Sequence, residues 1–158
     1  FVEDNLWIWG TVDRRLTVTS ARLPEISSTN TNIFLQNDIN YTAKDGSVVL
    51  GLISQGDLVV NSSSEDNLNL DAYLMSQKGR VFQPHYNGNV KTQLTTYGGL
   101  ASYNAWAWNY WARLDGSIQA GYRYVDQFYD PYLANNPPPL FPTSGTYQIL
   151  SWREEPTL

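Results

Sequence analysis

Asp38 and Asp57 are the residues from which a reaction would most readily be built. When "FLQNDINY" (Phe34 to Tyr41) is laid over "ISQGDLVV" (Ile53 to Val60), the two carboxylates coincide at an offset of 19 residues. Carboxylates facing each other on neighbouring strands are the equipment of polysaccharide hydrolases and lyases, as an acid and base pair or around Ca²⁺ with an added Arg or Lys. The series ends after two, because Arg80 stands where a third acid would be. Like charges at strand spacing repel, and an arginine beside them relieves that repulsion. The pair therefore reads as structural or solvated, and no catalytic residue is assigned.

Other reactive side chains are sparse. His85, the single histidine, lies in the turn-like "QPHYNG". One imidazole makes no histidine-based metal site, and its neighbours supply no triad. Zinc spacings, an EF-hand loop and a glycine-rich phosphate loop are all missing. The chain has no cysteine, which excludes disulfides, thiol catalysis and thiolate-bound metal. Neither a metal nor a cofactor is expected.

The aromatic segment "ASYNAWAWNYWARLDGS" offers binding chemistry instead. Strict strand alternation places Trp106, Trp108 and Tyr110 on one face and Tyr103, Ala105, Ala107, Asn109 and Trp111 on the other. The small Ala105 and Ala107 suit an interior, which turns the ring-bearing face outward. Rings two residues apart stand about 6.8 Å from each other, a spacing suited to stacking on sugars or unpaired bases. Arg113 and Arg123 follow closely and can meet phosphate or acidic sugars. These five residues are the candidate ligand contacts. The competing reading has "NNPPPLFP" lying over the rings, since proline-rich segments dock in aromatic grooves. With a net charge of -5, any contact with DNA is expected to be weak.

The elements that must hold these residues are short. A chain of 158 residues suits one domain, and 42% hydrophobic content with 14% aromatics is that of a folded protein. Only 16% of residues are charged, and Asn, Ser, Thr, Gln and Tyr replace them, a surface typical of extracellular β-proteins. "RRLTVTS", "NIFLQNDINYT", "GDLVVN", "NLNLDAYLMS" and "GRVFQ" carry strand signals bounded by turn residues. "ISQG" at 53–56 returns as "MSQKG" at 75–79, and Asn37, Gly56, Gly79, Gly98 and Gly116 recur at 19, 23, 19 and 18 residues. A recurrence near 20 residues, with corners tolerant of positive φ, predicts a right-handed parallel β-solenoid. Its coils should stack at about 4.8 Å, with Ile39, Leu58 and Val81 in one inward column. An antiparallel sandwich with accidental similarity is the alternative.

The coils are expected over residues 1–128. Residues 129–158 form a proline-rich strap and a terminal strand of the same domain, because Pro137, Pro138 and Pro139 impose an extended path without ladder donors. "TYQILSW" (Thr146 to Trp152) supplies that last strand. No stretch approaches the roughly 20 apolar residues of a membrane span. The chain opens "FVEDNLWIWG" without a signal peptide or an initiator Met, and so reads as a processed or excised piece.

The segments "NIFLQNDINYT", "VLGLISQGDLVV", "LNLDAYLMSQKGRVF" and "YDPYLANNPPPLFPTSGTYQILSWRE" together resemble the β-solenoid regions of large bacterial minor pilins and pilin-like envelope proteins. The resemblance runs from Arg14 to Glu155 and follows a diffuse pattern, without the N-terminal pilin helix. It implies an exported module at the cell surface of a bacterium, associated with type IV pili and with adhesion, assembly or DNA uptake; the lack of a carboxylate cluster with a base makes a noncatalytic module the expectation. Its partners would be other pilus or envelope subunits, and glycan or, weakly, DNA. Two other classes compete: a polysaccharide-active β-helix enzyme, marked by turnover of acidic polymers, and a carbohydrate-binding module, marked by binding without turnover.

Overall fold

A computed structural model describes residues 1–142. They fold into β1 (Leu6–Val12), β2 (Arg15–Ser20), β3 (Ile33–Tyr41), β4 (Val49–Ser54), β5 (Leu58–Val60), β6 (Asn67–Ser76), β7 (Val81–Phe82), β8 (Val90–Ser102), β9 (Asn109–Trp111) and β10 (Ile118–Tyr129). Every pairing among them is parallel except that of β9 with β10. The fold is a parallel β-solenoid of about five turns, and the parallel ladders exclude the sandwich. The terminal strand expected at Thr146 to Trp152 lies outside the described residues.

Stacking in register makes the core. Val18, Leu52, Leu74 and Leu100 form one column across β2, β4, β6 and β8. Ile33, Leu58 and Val81 form another, all three fully buried. The expected column of Ile39, Leu58 and Val81 is therefore corrected in one member. Ile39 is buried too, but it stacks on Leu70. The 23-residue step from Leu58 to Val81 holds, whereas the 19-residue overlay of β3 on β5 does not, because Ile33 rather than Ile39 lies beside Leu58. Coil length varies as well: Ser20, Ser54, Ser76 and Ser102 stand in register across the same four strands at unequal steps.

Two polar columns fasten one corner. Ser54 Oγ donates to Asp57 O at 2.8 Å, and Ser76 Oγ donates to Gly56 O at 2.7 Å while accepting from Gly79 N at 3.1 Å. The buried Ser76 hydroxyl thus satisfies Gly56 O and Gly79 N, which the turn would otherwise leave unpaired, while Ser54 adds a second donor to Asp57 O, already bound by Ile33 N. Beside them runs an acceptor ladder. Asn5 Oδ1 accepts from Asn32 N at 2.8 Å, Asn32 Oδ1 from Asp57 N at 2.7 Å, and Asp57 Oδ1 from Arg80 N at 2.8 Å. The ladder also explains the corner glycines. A Cβ on Gly56 would sit 2.4 Å from Asn32 Oδ1, and one on Gly79 would sit 2.1 Å from Asp57 Oδ1. Close approach, rather than the expected positive φ, selects glycine at these two corners; Gly98 and Gly116 do adopt positive φ.

The strap takes a different path from the one that would cover the tryptophans. Arg15 Nη2 donates to Asn136 O and Pro137 O, at 3.1 and 2.5 Å, and Thr17 Oγ1 donates to Pro139 O. Phe141 packs edge-on against Tyr73 at 4.7 Å and lies over Gly51, where any Cβ would strike its ring. Residues 136–141 thus run along the outside of β2, β4 and β6.

Candidate functional site

The carboxylate pair dissolves on folding. Asp38 Oδ1 accepts from Asn69 N at 2.8 Å and Asp57 serves Arg80 N, so the two acids cap different ladders in different columns. Two acids that sequence reasoning passed over are the buried ones. Asp71 accepts from Tyr41 N at 2.9 Å and pairs with Lys44 Nζ at 2.8 Å. Asp130 accepts from Tyr97 OH at 3.1 Å and from Tyr132 N at 2.9 Å. Lys44 also lies over the Tyr97 ring, 4.6 Å from its centroid, which joins the two acids into one patch. Burial, then the bond to Asp130, pushes the Tyr97 hydroxyl up to about 12. Each acid is engaged as an acceptor for backbone and side-chain donors, which is the arrangement of a structural network.

The aromatic segment is split between interior and surface. Residues 103–108 form bends and a single bridge rather than a strand, so the alternation assumed for them does not apply. Trp108 turns inward and is 2% exposed, whereas Trp106 is 48% exposed. Their centroids stand 6.1 Å apart at 47°, which is not a flat platform. Tyr110 is half-buried; its hydroxyl donates to Gln83 O at 2.9 Å, and its ring meets His85 edge-on at 4.9 Å. Ala105, expected inside, is exposed. Arg113 sits in the β9–β10 turn and Arg123 on β10, both exposed and neither bound to another of the described residues.

Around Trp106 the last coil opens. β10 covers β8 only as far as Gly98, so Gly99 to Ser102 have no following strand among the described residues. Two inward columns change character at this end: Ile39 and Leu70 are followed by Thr96 and Gln127, and Ala72 by Gly98 and Tyr129. The result is a cleft of about 330 Å³ lined by Leu74, Leu100, Trp106, Gln127, Phe128 and Tyr129 among others, with no charged residue in the lining. Trp106 is the one member of the expected site found there.

A second aromatic group lies at the other end of the solenoid. On β1 Trp7 and Trp9 point outward, 54% and 61% exposed, and Trp7 stacks on Phe34 of β3 with centroids 5.0 Å apart and planes at 15°. Sequence reasoning missed these rings because "LWIW" is apolar at every position. Alternation shows only where one face is polar.

No protein-family model matches the chain, and neither a curated protein nor a solved structure matches it. The molecule is a parallel β-solenoid with aromatic surfaces at both ends.

Proposed function

We propose that this protein is a noncatalytic extracellular module of a bacterial envelope or type IV pilus-associated protein, and that it works by adhesion. The observation that carries this reading is the uncharged aromatic cleft at the end of the solenoid. A cleft lined by rings and a few neutral polar groups suits the apolar face and hydroxyls of a sugar, or an apolar protein segment, and gives nothing to a phosphate backbone. The net charge of -5 argues the same way and makes DNA uptake the weakest of the roles the resemblance implies. The rest of the molecule supports a holding role, since stacked ladders fix the cleft on rigid elements. Separation of Asp38 from Asp57 weighs against the polysaccharide-cleaving alternative.

Titration calorimetry with neutral oligosaccharides, pectate and a thymidine oligonucleotide tests this. Saturable binding to a neutral sugar without release of reducing ends, weakened about tenfold or more by Trp106→Ala, is expected. Turnover of pectate, or tight oligonucleotide binding that weakens steeply with salt, would overturn it.

A further inference from the structure

We propose that the outer face of β1 and β3 is a second binding surface, a platform for a neutral glycan chain formed by Trp7, Trp9 and Phe34 beside the amides of Gln36 and Asn61. It lies at the N-terminal end of the stack and uses no residue of the cleft around Trp106. Three features select this ligand.

The first is ring presentation. Trp7 and Trp9 are two apart on one strand, so both leave the same face, and the Phe34 stack fixes the Trp7 ring before any ligand arrives. Rings held on a strand bind flat molecules with little loss of side-chain freedom. A pyranose offers such a partner, with C–H groups on its face and hydroxyls on its rim.

The second is the polar row alongside. Phe34 and Gln36 share the outward face of β3, and β1 pairs there with a bulge that puts Trp9 opposite the Gln36 to Asp38 stretch. Asn61 Nδ2 donates to Gln36 Oε1 at 2.8 Å, and Gln36 Nε2 donates to Ser63 Oγ at 3.3 Å. These bonds orient the amide yet leave it one N–H and one lone pair, the donor and acceptor that a sugar hydroxyl uses.

The third is charge. Glu65, bound to Asn37 Nδ2 at 2.6 Å, Asp38 and Asp57 lie along β3, and all three are anionic. Just past β1, Arg14 is neutralised by a two-pronged pair with Asp13 at 2.8 and 3.1 Å. Arg80 stacks on Phe82 at 3.8 Å, at the far end of the Trp7, Phe34, Val59, Phe82 row, three coils or about 14 Å from Trp7 and two coils or about 10 Å from Phe34, where salt of about 0.15 M screens it strongly. Uronic acids and nucleic acids are repelled here, while an uncharged sugar is not.

The test follows the indole N–H resonances of Trp7 and Trp9 by NMR during titration with cellohexaose, xylohexaose, chitohexaose, polygalacturonate and a thymidine oligonucleotide. At least one neutral hexasaccharide is expected to shift both resonances, with affinity indifferent to salt between about 0.1 and 1 M. Trp9→Ala should weaken that binding about tenfold or more, Trp9→Phe should restore most of it, and Trp106→Ala should leave it unchanged. Trp9 is mostly exposed, so melting of the alanine variant should match wild type. No shift with any neutral probe, shifts caused only by the polyanions, or loss of the shifts in Trp106→Ala would each overturn the proposal. Concentration-dependent dimers abolished by Trp9→Ala would also do so, by assigning the face to a second copy of the chain.

Discussion

Between Ile33 and Phe82 the inward columns repeat apolar side chains; from Val90 onward the Leu68, Leu94, Val125 column and the Leu74, Leu100 column stay apolar, while two others change kind. Leucine follows isoleucine, valine follows leucine, and all are fully buried in the first stretch; in the second, Leu70 gives way to Thr96 and then to Gln127. A column of like apolar side chains is a continuous interior with no room for a ligand. Replacing its last members with smaller, polar or aromatic groups stops the stack and opens a cleft at its mouth. In this molecule regularity builds the scaffold, and the loss of regularity builds the candidate site.

The comparison breaks most decisively at Leu58. Leu58→Asp buries a carboxylate between Ile33 and Val81 and should cost on the order of 4 kcal/mol or more. Thermal or urea unfolding would show it, and a melting temperature within about a degree of wild type would refute the column. Next comes the contrast between neighbours in the aromatic segment. Trp108→Ala should remove about 3–5 kcal/mol of stability, whereas Trp106→Ala, on the cleft wall, should leave stability nearly intact. Equal effects would show that the mouth is not distinct from the core.

A smaller effect of opposite sign is expected at Gln83. Its side chain is fully buried with neither amide atom hydrogen-bonded, and Trp108 Nε1 is likewise without a partner among the described residues. Gln83→Met keeps the volume and removes the desolvated amide, so it should stabilise by about 1 kcal/mol in urea unfolding. Destabilisation would mean that the amide is satisfied in solution. The smallest effect is pH-dependent. Tyr122 hydrogen-bonds Ser64 Oγ and Glu65 O, both at 3.0 Å, and burial pushes its hydroxyl up to about 12. Since the folded value lies above the ordinary value of about 10, the neutral phenol's contribution is complete below pH 10 and is lost as pH rises through about 12. Tyr122→Phe should therefore flatten the fall in stability over that window, as read by urea unfolding at a series of alkaline pH values.

The sequence announced the scaffold through "ISQG" and "MSQKG", because Ser54 and Ser76 do the same job one coil apart, each donating to a carbonyl of the preceding coil, Thr31 O and Gly56 O. The parallel β-solenoid was legible from that duplication. Register was less so, since the true partners at the next corner are Asn32, Asp57 and Arg80, three different residues joined by an acceptor rule rather than by identity. A search for likeness aligned Asn37 with Gly56 and placed two aspartates together that the fold keeps apart. The candidate site was legible in part: Trp106 was named, but the inward turn of Trp108 depends on the loss of strand geometry after Ser102. Trp7 and Trp9 were hidden because both faces of β1 are apolar.

The strap also has a mechanical meaning. Residues 136–139 are tied to Arg15 and Thr17 of the first coil, and Phe141 to Tyr73 two coils further along, so the late chain returns to the early coils. A pull on the strap against the body of the solenoid would load these side-chain contacts first, in shear against the outer faces of β2, β4 and β6. Only after they let go would tension reach the stacked ladders and peel them one coil at a time. A solenoid riveted in this way resists as a unit up to a threshold and then lengthens in steps, the response of a tether with a fuse.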